Sequence, residues 1–479
     1  MTNKVSSAFG WKFFERFSVQ MMNFVVTLIL ARILSPDDYG VVSLITIFTT
    51  LATTFVQTGF NTALIQKKQI EDNDYKSVLL FSFGIASVLY LILFVAAPFL
   101  GGFFEKSELS PLLRVMALIL FPGAYNSVQI AYVTRDLRFK LLTKSSLISG
   151  GVAAVIGFVI AFCGGGAWAL VAQQLANQVL NCVVLSLQTK WIPKGHFSSN
   201  SIKELIPFGS KIWASSFLVA LFLDIRSVFI GKVYTTEMLA FFNRGKQFPQ
   251  AIMDSVNGTI QTVLLPIYSE KQDSVKEVLA QVRLTIRMLT LVLFPLMVGL
   301  ASVAKPMINL LLTEKWLECV PFLQIFAVGY LFQTVQLSVI QAFKALGDGG
   351  TPLRLEIIKK TIEMTLLVLL INQGVLVVAF SLLISSAVSQ ALNMLSAKKV
   401  LGYCVLDQFK DLLPATVFSL IMAASIYGVR CLIANDLLQL VVSVLVGVLV
   451  YFFLCVLTKN KEFKFMIRFL KDKNKLKRD

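Results

Sequence analysis

Long apolar segments alternate with short polar ones along nearly the whole chain. A helix needs about 20 apolar residues to cross the hydrocarbon core of a bilayer, and this length recurs along the sequence. Membrane barrels instead use strands of roughly ten strictly alternating residues. The pattern therefore predicts an all-α, polytopic membrane protein with about 14 transmembrane helices. The apolar windows lie near residues 11–34, 41–64, 77–100, 112–133, 145–163, 166–187, 207–231, 239–265, 284–304, 319–343, 353–372, 374–396, 412–433 and 436–457.

Two of these windows carry a one-sided polar stripe, and the two stripes match at an offset of about 200 residues. At roughly 100° per residue, each stripe occupies a sector of about 80°. Polar groups in hydrocarbon are costly unless they face water or a partner, so the stripes predict a water-filled transport path. A packing hydrogen bond to a neighbouring helix is the alternative. The stripes consist of Ser43, Thr46, Thr50, Thr54, Gln57 and Asn61 in the first window, and Asn243, Lys246, Gln250, Asp254, Asn257 and Gln261 in the second.

The offset extends beyond the stripes and indicates an early duplication. Phe9-Gly10 opens the first window as Phe208-Gly209 opens the seventh, and the polar loop 188–203 separates the two copies. Each copy holds six windows, an even number, so both share one orientation in the membrane. We expect two pseudo-symmetric six-helix lobes, residues 1–196 and 197–402, followed by two trailing helices and a basic tail in residues 403–479.

Composition agrees with a membrane protein. The 479 residues are 56% hydrophobic and 15% charged, and the mean hydropathy is +0.75, far outside the usual range of soluble domains. The net charge is +17. If the amino terminus is cytoplasmic, most Lys and Arg lie in cytoplasmic segments, as topology rules require. Both termini then face the cytoplasm, the first span is an uncleaved anchor, and the tail lies on anionic lipid rather than nucleic acid.

Residues for cofactor or acid–base chemistry are scarce. The six cysteines form no CxxC pair and there is one histidine, so zinc sites, disulfide frameworks and a Ser-His-Asp triad lack their parts. The glycine clusters at 164–166 and 347–350 lack a GKS or GKT ending and are typical of tight turns. We expect no enzyme activity, no cofactor and no metal, and uphill movement would draw on a gradient or on substrate supply.

Charged residues inside the windows give the predicted path its chemistry. Arg16 begins a third stripe with Gln20, Asn23 and Thr27 on the first window, within about 60°. Asp224 and Arg226 lie deeper in the seventh window. The excess of basic residues in and beside these windows, Lys246 among them, suits an anionic substrate. Arg244 projects opposite Lys246, so we expect one of the two to pair with a neighbouring helix or reach the headgroups. Four carboxylates are candidates for coupling a proton or sodium ion, with local ion pairs as the alternative: Glu15, Asp224, Asp254 and Glu363.

Three segments carry a resemblance to a known family. They are Trp11-Lys12-Phe13-Phe14-Glu15-Arg16-Phe17, the stretch from Leu30 to Gly40 (LARILSPDDYG), and Phe241-Phe242-Asn243-Arg244-Gly245. With these segments, the repeat and the topology, the whole chain resembles the Wzx-type polysaccharide repeat-unit flippases of the multidrug/oligosaccharidyl-lipid/polysaccharide exporter superfamily.

The resemblance implies a fold like that of the multidrug exporters, with two lobes around a central cationic cavity. It implies transfer of an undecaprenyl-pyrophosphate-linked oligosaccharide (of O-antigen, capsule or exopolysaccharide) from the inner to the outer leaflet of the bacterial inner membrane by alternating access. A polysaccharide polymerase and glycosyltransferases would then be neighbours. By this analogy Arg16, Arg226 and Lys246 contact pyrophosphate, and amides bind sugar hydroxyls: Asn23, Gln57, Asn61, Gln250, Asn257 and Gln261.

Three other functions compete with this interpretation. A lipid II flippase shares the helix number and an anionic lipid-linked substrate. A cation-coupled multidrug antiporter would favour an acidic, aromatic cavity, which the basic lean disfavours. A membrane glycosyltransferase or polymerase would need large external loops with catalytic carboxylates or arginines, and the predicted loops are short.

Overall fold

The computed structural model describes residues 2–67 and 69–465, with the side chains of residues 2–17, 223–224 and 257–263 outside that description. Every regular element in the described residues is helical, which confirms the all-α class. The chain divides into two compact units, Met1–Ala240 and Phe241–Asp479. Each unit is described by itself below.

The described residues of the first unit form nine complete α-helices, and a short 3-10 turn, Ala117–Ile119, joins the fifth to the sixth. The helices are α1 (Thr2–Ile33), α2 (Pro36–Gln57), α3 (Phe60–Gln66), α4 (Asp72–Phe103), α5 (Leu109–Met116), α6 (Leu120–Arg135), α7 (Phe139–Phe162), α8 (Ala167–Thr189) and α9 (Ser199–Val233).

The second unit contains the remaining helices, the first of which starts five residues before the boundary between the units. Two 3-10 turns, Glu314–Cys319 and Ile371–Gln373, connect neighbouring helices. The helices are α10 (Thr236–Ser269), α11 (Val275–Ser302), α12 (Ala304–Leu312), α13 (Val320–Ala345), α14 (Gly350–Leu370), α15 (Val375–Leu401), α16 (Val405–Leu432) and α17 (Asp436–Leu457).

The helices are long and apolar enough for a multi-pass membrane protein. Among the described residues, 11 helical segments could span a bilayer by length and composition. All the predicted windows fall on helices, but those on α1, α10 and α14 carry too much polarity, or too few described residues, to qualify. The multi-pass character is therefore confirmed, whereas the count of fourteen stays a prediction.

The LARILSPDDYG segment has a structural role at the start of α2. Ser35 caps the helix, because its Oγ accepts the Asp38 amide at 3.2 Å while Asp38 Oδ2 accepts the Ser35 amide at 2.9 Å. Pro36 occupies the first turn, where its missing N–H does no harm. A Cβ added at Gly40 would collide with the carbonyl oxygen of Thr236. These residues therefore fix the start of α2.

Small residues let helices of the first unit approach closely. Gly150 and Gly157 lie on one face of α7, where an added Cβ would collide with Met22 of α1 at the first position and press on Gln173 of α8 at the second. Apolar helices in lipid gain little from burial alone, so close packing over small residues is a main source of association. This packing seats α1 and α8 beside α7.

An ionic cluster joins the trailing helices to α11 within the second unit. Arg283 of α11 donates from Nε and Nη2 to the two carboxylate oxygens of Asp411 on α16, at 2.7 and 3.1 Å. Arg287 Nε lies 3.6 Å from the same carboxylate, and its Nη1 lies 3.0 Å from Glu462. Tyr403 Oη also donates to Asp411, at 2.6 Å. One buried carboxylate thus holds α11, α16 and the chain after α17 together.

The division into compact units differs from the predicted lobes. The predicted repeat boundary lies near residue 197, at the start of α9, whereas α9 packs against α2, α3 and α4 of the first unit. Phe55 of α2, for example, lies 4.4 Å from Trp213 and 4.9 Å from Phe217 between ring centroids. The lobes of residues 1–196 and 197–402 describe the duplication and stay a prediction.

Candidate functional site

The polar stripe of α2 is half-buried along its whole length. Its hydroxyl groups satisfy themselves locally: Ser43, Thr46 and Thr54 each donate to a backbone carbonyl four residues earlier, at 2.7 to 2.8 Å. A hydroxyl bonded this way still offers its oxygen as an acceptor. The predicted amides Gln57 and Asn61 lie beyond these hydroxyls, on and after the last turn of α2.

A second polar face, which the sequence analysis missed, runs along α8. Five half-buried amides recur at helical spacing there, so they share one side of the helix. One of them accepts a hydrogen bond from Ser145 of α7 at 2.7 Å. A periodicity search that included this apolar window would have found the signal, because α8 has no charge to draw attention. The amides are Gln173, Gln174, Asn177, Gln178 and Asn181.

The two polar faces meet above a glycine. A Cβ added at Gly123 of α6 would collide with Nε2 of Gln57 and lie 3.6 Å from Nε2 of Gln178. Two carboxamides from α2 and α8 therefore occupy the space that a larger residue on α6 would fill. The first unit thus brings the predicted Gln57 next to a residue that was not predicted.

Several amide oxygens of the first unit are buried and accept no hydrogen bond from the protein groups that the structure describes. They are Oδ1 of Asn61, Oδ1 of Asn126, Oε1 of Gln129 and Oε1 of Gln188. The amide nitrogen of Gln129 is bonded to Ser186 of α8, at 2.6 Å. A buried polar atom without a partner costs on the order of 1–3 kcal/mol. The interior of the first unit is therefore polar at these positions.

In the second unit, the stripe of α10 carries charge as well as amides. Asn243, Lys246 and Gln250 are half-buried and Asp254 is exposed. Gln250 hydrogen-bonds to Asp254, which also lies within electrostatic reach of Lys246. Met253 lies beside this stripe on the helix and is fully buried in a cluster with Leu293, Met297 and Ala327. The described part of α10 therefore has a packed side next to its polar stripe.

Arg244 and Lys246 separate as the helical wheel predicts. Arg244 is 5% exposed, its guanidinium lies 4.9 Å from the Trp316 ring, and its Nη1 donates to Gln247 at 2.6 Å. A cation over an aromatic face gains stability when it is desolvated. Arg244 thus packs against the segment that leads into α13, whereas Lys246 belongs to the polar face.

The other predicted site residues have varied surroundings. Arg226 is half-buried on α9, and Asn23 is exposed on α1. Glu363 is buried on α14 and pairs with Lys360 at 3.0 Å, one turn earlier on the same helix. Five predicted side chains lie outside the described residues: Glu15, Arg16, Asp224, Asn257 and Gln261.

Residues 29–321 match the model of a family described as "Polysaccharide biosynthesis protein". The match covers more than half of the chain and includes α2, α8 and α10. The chain belongs to this family. Membership confirms the resemblance drawn from the three sequence segments.

Curated relatives are similar over most of their length. The chain is 23% identical over 332 residues to the teichuronic acid biosynthesis protein TuaB of Bacillus subtilis (strain 168), which is 68% of each chain. It is 25% identical over 343 residues to the succinoglycan biosynthesis transport protein ExoT of Rhizobium meliloti (strain 1021), covering 71% of this chain and 69% of that one.

Among solved structures, the fold is similar to the lipid II flippase MurJ in an inward closed conformation. The TM-score is 0.74, with 93% of this chain and 98% of that chain covered, at 16% sequence identity. At this identity the likeness shows the fold alone. Together with the relatives, it agrees with the expectation of a membrane transporter rather than an enzyme.

Proposed function

We propose that this protein moves an oligosaccharide repeat unit, linked to undecaprenyl pyrophosphate, from the inner to the outer leaflet of the bacterial inner membrane by alternating access. The observation that carries the proposal is the amide-lined interior of the first unit, where Gln57 and Gln178 share the space above Gly123. Carboxamides donate and accept at once, which matches sugar hydroxyls. The membership in a polysaccharide biosynthesis family supports the choice of sugar over other polyols.

The charged end of such a substrate requires cations. Lys246 on the polar face of α10 and Arg226 on α9 are the described candidates, with Arg16 as a third. Pyrophosphate is a strong acceptor of charge-assisted hydrogen bonds from Lys and Arg. We assign the sugar to the amides and the pyrophosphate to these cations. A polymerase and glycosyltransferases would be the functional neighbours, and both termini would face the cytoplasm.

Coupling to an ion is a finer part of the proposal. Asp254 is exposed on the polar face of α10, within reach of Lys246, so its charge would respond to a bound anion or cation. Glu363 is already paired with Lys360. Asp254 is therefore the better described candidate for a proton or sodium site, alongside Asp224 and Glu15.

The decisive experiment is transfer in proteoliposomes. Purified protein is reconstituted with a lipid-linked oligosaccharide that carries a fluorescent sugar, and an impermeant glycosidase reports which leaflet holds it. We expect the protein to equilibrate the labelled lipid between leaflets, and the same vesicles with a collapsed proton or sodium gradient test coupling. Transfer of lipid II but not of the oligosaccharide would replace the proposal with the lipid II alternative. Movement of cationic drugs alone would favour an antiporter.

Gly123→Val tests the amide-lined interior directly. The valine side chain would displace the Gln57 carboxamide from its place beside Gln178, so we expect transfer to fall roughly tenfold, the loss of one hydrogen bond of about 1.4 kcal/mol. Gly151→Val on α7 is the matched control, because no heavy atom lies within 4 Å of an added Cβ there. Equal transfer by the two variants, at equal amounts in the membrane, would contradict the assignment of Gln57.

A further inference from the structure

A second apolar site lies on the outer surface of the first unit, away from its polar interior. It is a groove of about 480 Å³ whose lining includes Leu80, Gly84 and Val88 of α4 and is completed by Phe197 from the segment before α9. Leu80 and Val88 are 44% and 58% exposed. Leu80, Gly84 and Val88 follow one another at intervals of four residues, so the groove follows one side of the helix.

The opposite side of α4 packs into the unit. Ala86 and Leu93 are buried in a cluster with Val56 of α2 and Leu120 of α6. Because Gly84 and Ala86 point about 200° apart at helical geometry, the groove faces away from the side that contacts α2. A substrate that binds the amide-lined interior is therefore not expected in the groove.

The segment of residues 190–198, called the strap below, closes one end of the groove. The backbone amide of His196 donates to Asn73 Oδ1 at 2.8 Å, and the amide of Ser198 donates to Ser77 Oγ at 2.7 Å. Upstream, the Trp191 ring stacks on Tyr132 with centroids 4.5 Å apart and planes 11° apart. The strap thus holds Phe197, which is 56% exposed, over the first turns of α4.

The strap and the start of α4 are basic. Lys190, Lys194 and His196 are exposed on the strap, which has no acidic residue, and Lys76 is half-buried on α4. The acids of this end are partly neutralised, because Lys67 binds Asp74 and Glu204 at 2.9 Å each. Glu71 and Asp72 add exposed negative charge next to this turn, and the exposed Asp136 within electrostatic reach of Tyr75 is paired with Arg138 at 2.7 Å. By the predicted topology this end faces the cytoplasm, where the leaflet is anionic.

We propose that the groove binds an anionic phospholipid of the inner leaflet, with one acyl chain along Leu80, Gly84 and Val88 and its headgroup beside Lys194 and Lys76. An apolar groove that is open to the hydrocarbon core suits an acyl chain. Basic residues at its cytoplasmic end suit the phosphate of a lipid headgroup. The site is separate from the proposed transport path. The inference depends on the membrane orientation and not on the identity of the transported substrate.

Lipid binding to the purified full-length chain tests the inference without any transport measurement. Delipidated protein in detergent is titrated with phosphatidylglycerol or phosphatidylcholine, and bound lipid is counted by native mass spectrometry beside thermal unfolding. We expect wild type to prefer phosphatidylglycerol, with a higher unfolding temperature. Gly84→Leu fills the groove and should weaken the tightest phosphatidylglycerol adduct roughly tenfold. Gly102→Leu, on the same helix with no heavy atom within 4 Å of an added Cβ, is the control and should bind as wild type does.

Further variants distinguish binding of the acyl chain from binding of the lipid headgroup. Phe197→Ala should weaken binding as Gly84→Leu does, and it guards against a folding defect specific to the larger residue. Lys194→Ala should reduce the preference for phosphatidylglycerol while binding of phosphatidylcholine is unchanged. Equal binding by Gly84→Leu and wild type would overturn the site. Equal affinity of wild type for the two lipids would overturn the role of charge, and a polyprenyl lipid lost from Gly84→Leu would overturn the choice of phospholipid.

Discussion

Lys246→Ala is expected to reduce surface polysaccharide strongly while the protein remains in the membrane at its normal amount. The lysine lies on the half-buried polar face of α10 beside Gln250. Losing a charged partner of a phosphate costs about 1.5–3 kcal/mol, or roughly 10- to 150-fold in transfer. Polysaccharide at the cell surface, measured beside an immunoblot of the membrane fraction, checks this result.

Controls for this substitution come from the same chain. Lys246→Arg keeps the charge and should restore most of the transfer, whereas Lys399→Ala, at the exposed end of α15, should leave it unchanged. Arg244→Ala removes a cation packed on Trp316 and should lower the amount of folded protein instead. Normal polymer from a strain carrying both Arg226→Ala and Lys246→Ala would exclude the two residues from the mechanism.

Asp411→Ala is expected to give the largest loss of stability. Asp411 is 7% exposed and binds Arg283, Arg287 and Tyr403. Its removal leaves Arg283 and the Tyr403 hydroxyl without their acceptor, while Arg287 keeps Glu462. Breaking a buried pair costs about 3–5 kcal/mol, and the one-third exposure of both arginines lowers our expectation to about 2–3 kcal/mol. Thermal unfolding in detergent measures the effect, and Lys410→Ala, an exposed neighbour, should change stability by less than about 0.5 kcal/mol.

The same cluster gives a dependence on pH. Burial and the hydrogen bond to Asp411 raise the pKa of Tyr403, which lies in the turn between α15 and α16. The contribution of this tyrosine to stability is therefore full below its ordinary pKa of about 10 and is lost as the pH rises through the raised value.

Unfolding of Asp411→Ala that matches wild type at neutral pH would show that the cluster does not hold the trailing helices.

Helix positions were predictable because hydropathy acts locally. Each apolar window reflects the length needed to cross a bilayer, and that requirement does not depend on which helix lies next to it. The windows on α1, α10 and α14 are the informative cases, since within the described residues none of them meets the length and hydropathy requirement for a span and each carries polar residues that we propose for transport. The segment with Ser35, Pro36 and Asp38 was also recognised in the sequence. The hydrogen bonds between Ser35 and Asp38 alone show that it caps α2.

The polar faces were predictable only in part. The wheel separated Lys246 from Arg244 correctly, because residues two positions apart point about 200° apart on any helix. The amides of α8 escaped notice, as no charge marks them. Their importance depends on Gly123, a residue of α6 whose missing side chain leaves room for Gln57 and Gln178.

By itself, the sequence determined that this is a helical multi-pass membrane protein, and it determined which side of α2 and of α10 is polar. These properties follow from the period of one helix and from the bilayer. Tertiary structure alone decided that α9 packs with the first unit, that Asp411 joins α11 to α16, and that Gln57 meets Gln178. Such contacts join residues far apart in the chain, and their geometry depends on helix packing that no local pattern encodes.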